Sequence, residues 1–237
     1  MRRVLVTGAT GGIGKEVVRS LEDQAELIYI HYHTNRNAAE ELMQRVNCEC
    51  MLVFADLSQG NGVDSLLSQM PVIPDTLIYC AGTSVPELLQ DVSDEELDRT
   101  MAVHLISPIK LVRALLPQMI RNESGSIVVV SSIWGLTGAS MESVYSAAKS
   151  GLHGFVKAIA KEVGRSGVRI NAVAPGAIAT EMLSLYPEDD LSELANEIPA
   201  GRLGTATETA NAIHFLAGNK ATYINGQILS VNGAWYC

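Results

Sequence analysis

Short apolar runs alternate along this chain with segments in which apolar residues recur every three or four positions. The apolar runs are rich in valine, isoleucine and leucine and are typical of strands buried on both faces, while the intervening segments are typical of amphipathic helices. Strands are predicted over 3–6, 27–30, 50–54, 76–79, 127–130, 168–173 and 227–231. Strands that alternate with helices predict an α/β fold, a doubly wound parallel sheet of about seven strands with helices on both faces.

Helix signals fall between these strands. Ser93 is predicted to cap a helix, with Glu96 at the position of a reciprocal capping box. A helix is also predicted over about 103–121, where Pro108 requires a kink or a restart because proline has no backbone N–H. Further helices are predicted over 15–21, 38–46, 205–217 and from the region of Tyr145 to about Gly164.

Length and composition indicate a single domain over residues 1–237. The chain is 47% hydrophobic and 18% charged, which is enough apolar material for a sizeable core. Its net charge of −9 argues against nucleic acid or an anionic membrane surface as a partner. Met1-Arg2-Arg3 leads directly into a strand, and the apolar runs are shorter than the ~18 residues of a membrane span. We therefore expect a cytoplasmic protein without a signal peptide.

The cysteines support the same compartment. Cys48, Cys50, Cys80 and Cys237 lack the spacing of a disulfide framework and suit a reducing environment. Cys48 and Cys50 could hold a metal only with ligands from elsewhere in the chain, so we expect ordinary strand cysteines and no metal site.

A glycine-rich segment follows the first predicted strand and opens the first predicted helix. It reads T-G-A-T-G-G-I-G over residues 7–14, with glycines spaced Gly8-x3-Gly12-x-Gly14. Glycines at such a turn allow close approach of a diphosphate, whose charge is met by the N–H groups of a helix N-terminus. A tight structural turn would use the same glycines, so the segment alone is weak support for a dinucleotide site.

The end of the second predicted strand bears on the choice of cofactor. An acidic residue there would bind the ribose 2′-hydroxyl of NAD, but none occurs between His31 and Asn37. The basic and hydroxyl groups of His33, Thr34, Asn35 and Arg36 instead suit a 2′-phosphate, and NADP(H) is the expected cofactor. A solvated basic turn is the alternative interpretation.

Candidate proton-transfer residues surround the strand at 127–130. Ser132 follows that strand, and Tyr145 and Lys149 are four residues apart in a predicted helix, on one face of it. A phenol ionises near pKa ~10, and a neighbouring ammonium is expected to lower that value toward neutral pH. A Tyr-x-x-x-Lys spacing also occurs by chance, but every motif described here lies at the carboxyl end of a predicted strand, where ligands bind in doubly wound sheets.

Together these motifs resemble the short-chain dehydrogenase/reductase family over essentially the whole chain, which implies a Rossmann-type fold. The segments over 198–204 and 215–233 are most similar to the 3-oxoacyl-[acyl-carrier-protein] reductase branch. The segments that carry the family resemblance are 7–14, Asp56-Leu57, 80–82, Ser132, 145–149 and 175–180.

The resemblance implies a role for each matching position. Tyr145 would be the acid that protonates the nascent alkoxide, Lys149 would lower its pKa, and Ser132 would orient the carbonyl, while hydride passes from nicotinamide to carbon without a metal. The residues implied in cofactor binding are Thr7, Gly8, Thr10, Gly11, Gly12, Ile13, Gly14, His33, Thr34, Asn35, Arg36, Asp56, Leu57, Cys80, Ala81, Gly82, Tyr145, Lys149, Pro175, Gly176, Ile178 and Thr180.

Three positions depart from the family pattern. His104 stands where the family has a fourth catalytic residue, an asparagine that holds a water near the lysine. A neutral histidine could keep part of that relay, and a structural histidine bonded to backbone is the alternative. Gly11 replaces a basic residue common in NADP-preferring members, and Cys80 replaces an asparagine.

The resemblance implies NADPH-dependent reduction of a 3-oxoacyl thioester by a homotetramer, with the substrate carried by an acidic acyl carrier protein or by CoA. The acidic segment over about 181–200 would form a helical lid. Arg121, Lys161 and Arg165 are candidate carrier contacts at the cleft rim, or solvated charges, and Glu123 stands where a basic residue is often found. A small free ketone is an alternative substrate, and a non-catalytic dinucleotide sensor is an alternative function.

Overall fold

The fold is a parallel sheet between two layers of helices. The computed structural model describes residues 2–184 and 186–236, so Met1, Cys237 and Leu185 of the predicted lid lie outside it. The strands of the main sheet are β1 (Arg2–Thr7), β2 (Ala25–Tyr32), β3 (Glu49–Phe54), β4 (Thr76–Tyr79), β5 (Gly125–Val130), β6 (Val168–Pro175) and β9 (Ile228–Val231). These seven described strands are all parallel and lie in the order β3-β2-β1-β4-β5-β6-β9. The predicted doubly wound sheet is confirmed.

Two short strands, β7 (Ile178–Ala179) and β8 (Gly204–Thr205), pair separately beyond the end of β6. The α-helices are α1 (Gly12–Leu21), α2 (Arg36–Arg45), α3 (Gly62–Ser68), α4 (Asp94–Met101), α5 (Ser107–Arg121), α6 (Trp134–Thr137), α7 (Ser143–Val163), α8 (Glu188–Glu197) and α9 (Ala206–Ala217). A π-helical turn, Ala102–Ile106, joins α4 to α5, and short 3₁₀ turns occupy Gly164–Ser166 and Asn219–Ala221.

Each face of the sheet has its own hydrophobic core. On one face α3, α5 and α7 pack through residues such as Leu66, Leu115 and Val156. On the other face α1, α2 and α9 pack through residues such as Val18 and Ile213. Because both faces are covered, the strands are apolar throughout, which is why they appear in the sequence as continuous runs.

The π-helical turn explains how the helix accommodates Pro108. The helix restarts at Ser107 and places Pro108 in its first turn, where a missing N–H is tolerated. The backbone N–H of Ser107 donates to the Ala102 carbonyl, five residues earlier, as in a π-helix. The next bond of this kind would reach the Val103 carbonyl, but Pro108 has no N–H to donate. The buried Tyr79 hydroxyl donates to the Val103 carbonyl instead, at 2.7 Å.

Helix starts follow the sequence signals. The Ser93 hydroxyl accepts the Glu96 backbone N–H, as predicted, although the Glu96 carboxylate contacts Arg99 and Thr100. Helix α3 was not predicted, since it is short and bounded by polar residues.

By length and composition alone, the continuous helix Asp94–Arg121 could cross a membrane. Its apolar face is used in the core, where Leu111, Leu115 and Met119 pack against the sheet.

The Tyr79 hydrogen bond is testable by Tyr79→Phe. This change leaves the Val103 carbonyl buried without its donor, and we expect a loss of about 1–3 kcal/mol in the free energy of unfolding, measured by urea denaturation. Tyr223→Phe is the control, because Tyr223 is fully exposed. Equal unfolding midpoints for Tyr79→Phe and wild type would show that the π turn does not depend on this bond.

Candidate active site

The carboxyl ends of six neighbouring strands bring the predicted site residues to one edge of the sheet. Thr7 ends β1, His33 follows β2, Asp56 follows β3, Cys80 follows β4 and Ser132 follows β5. The segment from Pro175 to Thr180 ends β6 and continues into β7. The strand order reverses between β1 and β4, and a crevice for a ligand is expected there in this architecture.

The glycine-rich turn is packed closely against the end of β4. Gly8 has φ +61°, and a Cβ on it would lie 2.7 Å from the Ala81 Cα. A Cβ on Gly14 would lie 2.2 Å from the Gly8 carbonyl oxygen, so the turn itself requires glycine at both positions. The Thr7 hydroxyl accepts the backbone N–H groups of Cys80 and Ala81, which fixes β1 to β4 beside the crevice.

His31 in β2 supports this turn, and the sequence did not single it out. Its Nδ1 accepts the Gly8 N–H at 3.0 Å, and its Nε2 lies 3.0 Å from the Ala55 carbonyl oxygen. Burial lowers the pKa of His31 to about 4, so the ring is neutral near neutral pH and Nε2 carries the proton. The sequence showed only an ordinary strand residue, because nothing local indicates the turn that it supports.

The glycine-rich turn also lies close to Thr180, the residue that follows β7. A Cβ on Gly12 would lie 2.6 Å from the Thr180 side chain, so this close approach requires glycine. Helix α1 begins at Gly12, and its N-terminal N–H groups favour an anion at this point. Lys15 forms an ion pair with Glu181 at 3.0 Å, which joins α1 to the start of the acidic segment after β7.

The predicted 2′-phosphate residues are exposed but differ in their partners. The Asn35 side chain caps α2 by accepting the Ala38 N–H, and the Arg36 guanidinium donates to Glu40 at 2.8 Å. His33 Nε2 lies 3.7 Å from the Asp56 carboxylate. The structure therefore brings His33 and Asp56 together at the mouth of the crevice, while Asn35 and Arg36 contact α2.

Ser132, Tyr145 and Lys149 converge at the ends of β5 and α7. The Ser132 hydroxyl accepts the Trp134 N–H at 3.1 Å and lies close enough to Tyr145 to influence the pKa of its phenol. The Lys149 ammonium is buried, donates to the Val130 carbonyl at 2.8 Å and lies 5.3 Å from the Tyr145 ring centroid. One hydroxyl, one phenol and one amine therefore share a small volume next to the cofactor crevice.

Burial controls the ionisation of this group. It raises the pKa of Tyr145 above the ordinary value, the nearby Ser132 hydroxyl opposes that rise, and the charge of Glu142 adds to it. Burial also lowers the pKa of Lys149 to about 7. We expected from the sequence that Lys149 would lower the Tyr145 pKa, but here burial has the larger effect and the opposite sign. Tyr145 is therefore a protonated donor at neutral pH.

His104 lies in the π-helical turn and packs edge-on against the Tyr145 ring, with centroids 4.8 Å apart. Its Nε2 donates to the Thr83 carbonyl at 2.6 Å, and Nδ1 has no hydrogen-bond partner among the described residues. Burial first, and then the Lys149 charge, lower the pKa of His104 well below its usual value. A Cβ on Gly82 would lie 2.6 Å from this ring, so Gly82 makes room for it. The bond to Thr83 agrees with the structural interpretation, and the relay role of His104 stays a prediction.

An aromatic group forms one wall beside Ser132. The Trp134 ring packs edge-on against Trp235 and Tyr236, with centroids 5.4 Å and 5.8 Å away. Trp235 and Tyr236 are about a hundred residues from Ser132 in the sequence, so the sequence did not connect them with the end of β5.

The basic residues predicted at the cleft rim lie at the opposite edge of the sheet. Arg121 ends α5 just before β5 begins, and Lys161 and Arg165 flank the end of α7 just before β6 begins. Helices that return to the amino ends of parallel strands carry their last residues away from the carboxyl edge. The segment after β7 is instead acidic, with exposed α8 opening on Glu188, Asp189 and Asp190.

Cys80 lies at the crevice, whereas Cys48 and Cys50 lie at the amino end of β3. Cys48 and Cys50 are free thiols with their Sγ atoms 3.8 Å apart, and Cys80 is also free. Within residues 2–184 and 186–236, no group of three or more His, Cys, Asp or Glu side chains is arranged to hold a metal ion.

Comparisons with known proteins agree with this architecture. A family model described as enoyl-(acyl carrier protein) reductase matches residues 8–235. An uncharacterized oxidoreductase of Bacillus subtilis strain 168, YmfI, is 47% identical over 100% of this chain and 99% of its own. The 3-oxoacyl-[acyl-carrier-protein] reductase FabG of Escherichia coli strain K12 is 34% identical over 98% of this chain and 96% of its own.

Solved ketoreductases share the fold over nearly the whole chain. The angucycline C-6 ketoreductase LanV with bound NADP is 25% identical, with a TM-score of 0.89 over 98% of this chain and 94% of that one. The reductase LugOII, which catalyses keto-reduction at C1 in lugdunomycin biosynthesis, is 26% identical, with a TM-score of 0.90 over 98% of this chain and 96% of that one. The chain is thus an oxidoreductase of the short-chain dehydrogenase/reductase family.

Proposed function

We propose that this protein reduces the ketone of a 3-oxoacyl thioester to the 3-hydroxyacyl thioester with NADPH. The observation that carries the proposal is the convergence of the Ser132 hydroxyl, the Tyr145 phenol and the Lys149 amine at the end of the crevice. Two neighbouring O–H groups suit a carbonyl oxygen, which needs a hydrogen bond before and a proton after its carbon is reduced.

The side chains divide the work at the carbonyl oxygen. Ser132 donates a hydrogen bond that orients the carbonyl, and Tyr145 donates its proton to the oxygen as negative charge develops there. Lys149 would hold the ribose hydroxyls of the bound cofactor, next to the Tyr145 ring. When bound, the cofactor supplies a hydride to the carbonyl carbon. His104 positions the Tyr145 ring through their edge-on contact.

The choice of NADP(H) rests on the mouth of the crevice and on the related structure that holds NADP. No acidic residue occurs between His31 and Asn37, and His33 is exposed there beside Asp56. We infer that His33 and Thr34 contact the 2′-phosphate, and that Arg36 contributes after exchanging its bond with Glu40. Asp56 and Leu57 are assigned to adenine, and Pro175, Gly176, Ile178 and Thr180 to the nicotinamide end.

The thioester substrate is inferred from the relatives named as 3-oxoacyl-[acyl-carrier-protein] reductases. Residues 181–200 would close over it as a lid, held at one end by the Lys15–Glu181 ion pair. Either an acyl carrier protein or CoA could present the thioester. Because Arg121, Lys161 and Arg165 lie at the far edge of the sheet, we assign carrier docking to none of them.

Assembly and location form part of the same proposal. Exposed apolar residues on the long helix, Leu97, Ile106 and Ile120, and Leu229 on the edge strand β9 suit contacts between copies, as in a homotetramer. The free thiols of Cys48, Cys50 and Cys80 suit the reducing cytoplasm.

Replacement of Tyr145 by Phe tests the proton donor. General acid catalysis contributes about 10²–10⁴-fold, so kcat for an acetoacetyl thioester should fall by at least about 100-fold. NADPH affinity, followed by cofactor fluorescence, should stay within a few-fold of wild type because the ring remains. Tyr223→Phe serves as the exposed control. Wild-type turnover in Tyr145→Phe would contradict this mechanism.

Replacement of Lys149 by Met tests the burial of the amine. With the folded pKa lowered from 10.5 to about 7, the unfolded state binds one more proton than the folded state between these values. The wild-type free energy of unfolding should therefore gain up to about 1.4 kcal/mol per pH unit from this group as pH rises from about 7. Urea denaturation at several pH values up to about 8.5 should show a shallower rise for Lys149→Met. Parallel profiles would mean that Lys149 stays charged in the fold.

A further inference from the structure

Glu142 lies three residues before Tyr145 and is hydrogen-bonded to the segment that follows β4. It occupies the N-cap position of α7, but its carboxylate does not cap the helix within the described structure. It accepts instead from the hydroxyl of Ser84, a residue of the segment that follows β4. Glu142 is half-buried, and burial raises its pKa, with the Ser84 bond acting in the opposite direction.

The backbone around Glu142 is held in an unusual conformation. Met141 has φ +62°, in the left-handed region that side chains with a Cβ rarely adopt. The Met141 carbonyl accepts the Glu87 N–H at 2.8 Å, which ties the turn before α7 to the segment after β4. Strain of this kind persists where the surroundings fix it and is common at ligand sites. Two bonds from the segment after β4, at Ser84 and Glu87, therefore hold Glu142 and the residue before it.

A small cavity of about 20 Å³ lies between these two segments and is lined by Tyr145, Ser84 and Glu142. Such a volume holds about one water-sized group. The charged side chains of its lining are three carboxylates, those of Glu87, Glu96 and Glu142. Glu96 already receives bonds from Arg99 and Thr100, whereas Glu142 receives the Ser84 hydroxyl and retains acceptor capacity. The cavity thus favours a hydrogen-bond donor and disfavours an anion.

We propose that Glu142 is a specificity-determining residue that accepts a hydrogen bond from an N–H group of the substrate. This inference rests on the proposed function, since in a 3-oxoacyl thioester the N–H donor near the reacting ketone is the amide of the cysteamine arm. Glu142 and Tyr145 line the same small cavity, so a substrate at Tyr145 can also reach Glu142. This hydrogen bond fixes the cysteamine arm while Tyr145 and Ser132 hold the ketone. No covalent bond forms or breaks at Glu142.

Paired substrates isolate this hydrogen bond. The first is the acetoacetyl thioester of N-acetylcysteamine, and the second is an S-alkyl acetoacetyl thioester of equal length without the N–H. kcat/KM is measured for both with wild type, Glu142→Gln and Glu142→Leu. Glu162→Gln is the matched control, because Glu162 is exposed at the far end of the same helix.

We expect wild type and Glu162→Gln to prefer the N–H substrate by about tenfold or more, as for a hydrogen bond to a charged group. Glu142→Leu should lose this preference while it still turns over the S-alkyl thioester, and Glu142→Gln, which keeps a neutral acceptor, should be intermediate. An unchanged preference in Glu142→Leu, or an equal loss on both substrates, would overturn the role of Glu142. If wild type reduces neither thioester, the proposed function itself is wrong.

Discussion

The site depends on the parallel direction of six adjacent strands. Because β3, β2, β1, β4, β5 and β6 run the same way, their carboxyl ends meet at one edge, and residues far apart in sequence become neighbours there. The Thr7 hydroxyl bonded to Cys80 and Ala81, and the His31 ring bonded to Gly8, hold this edge together. The helices on both faces keep the edge rigid, since each face has its own packed core.

Most of the strands and the placement of the site could be predicted because their signals are local. The run Ile127–Val130 ends at Ser132, and the Tyr145–Lys149 spacing needs only helical geometry. The sequence did not reveal His31, Ser84 or the aromatic wall at Trp134, because their roles arise from contacts between distant segments. It also placed Arg121, Lys161 and Arg165 at the cleft, whereas the return of α5 and α7 to the amino ends of the strands carries them away from it.

Burial changes the chemistry expected from residue types alone. An ammonium beside a phenol suggests a lowered phenol pKa in water, but the low polarity around Tyr145 favours its neutral form more strongly. Burial also disfavours the charged form of Lys149, because the amine has exchanged water for a hydrogen bond to the Val130 carbonyl. A protonated phenol next to a hydroxyl suits reduction of a ketone, and the acidic surroundings of Glu142 add a preference for the part of the substrate that bears a donor.

The central claim is that Ser132 and Tyr145 act on a carbonyl oxygen, and the position of the transferred hydride tests it most directly. A 3-oxoacyl thioester and a 2-enoyl thioester are offered together with NADPH in which both hydrogens at the nicotinamide C4 position are deuterium, and the products are analysed by mass spectrometry and NMR. We predict one deuterium on the new carbinol carbon of the 3-hydroxyacyl product and an unchanged enoyl thioester. Deuterium in a saturated acyl chain, with the ketone left intact, would contradict the account and would point to the double bond as the group reduced.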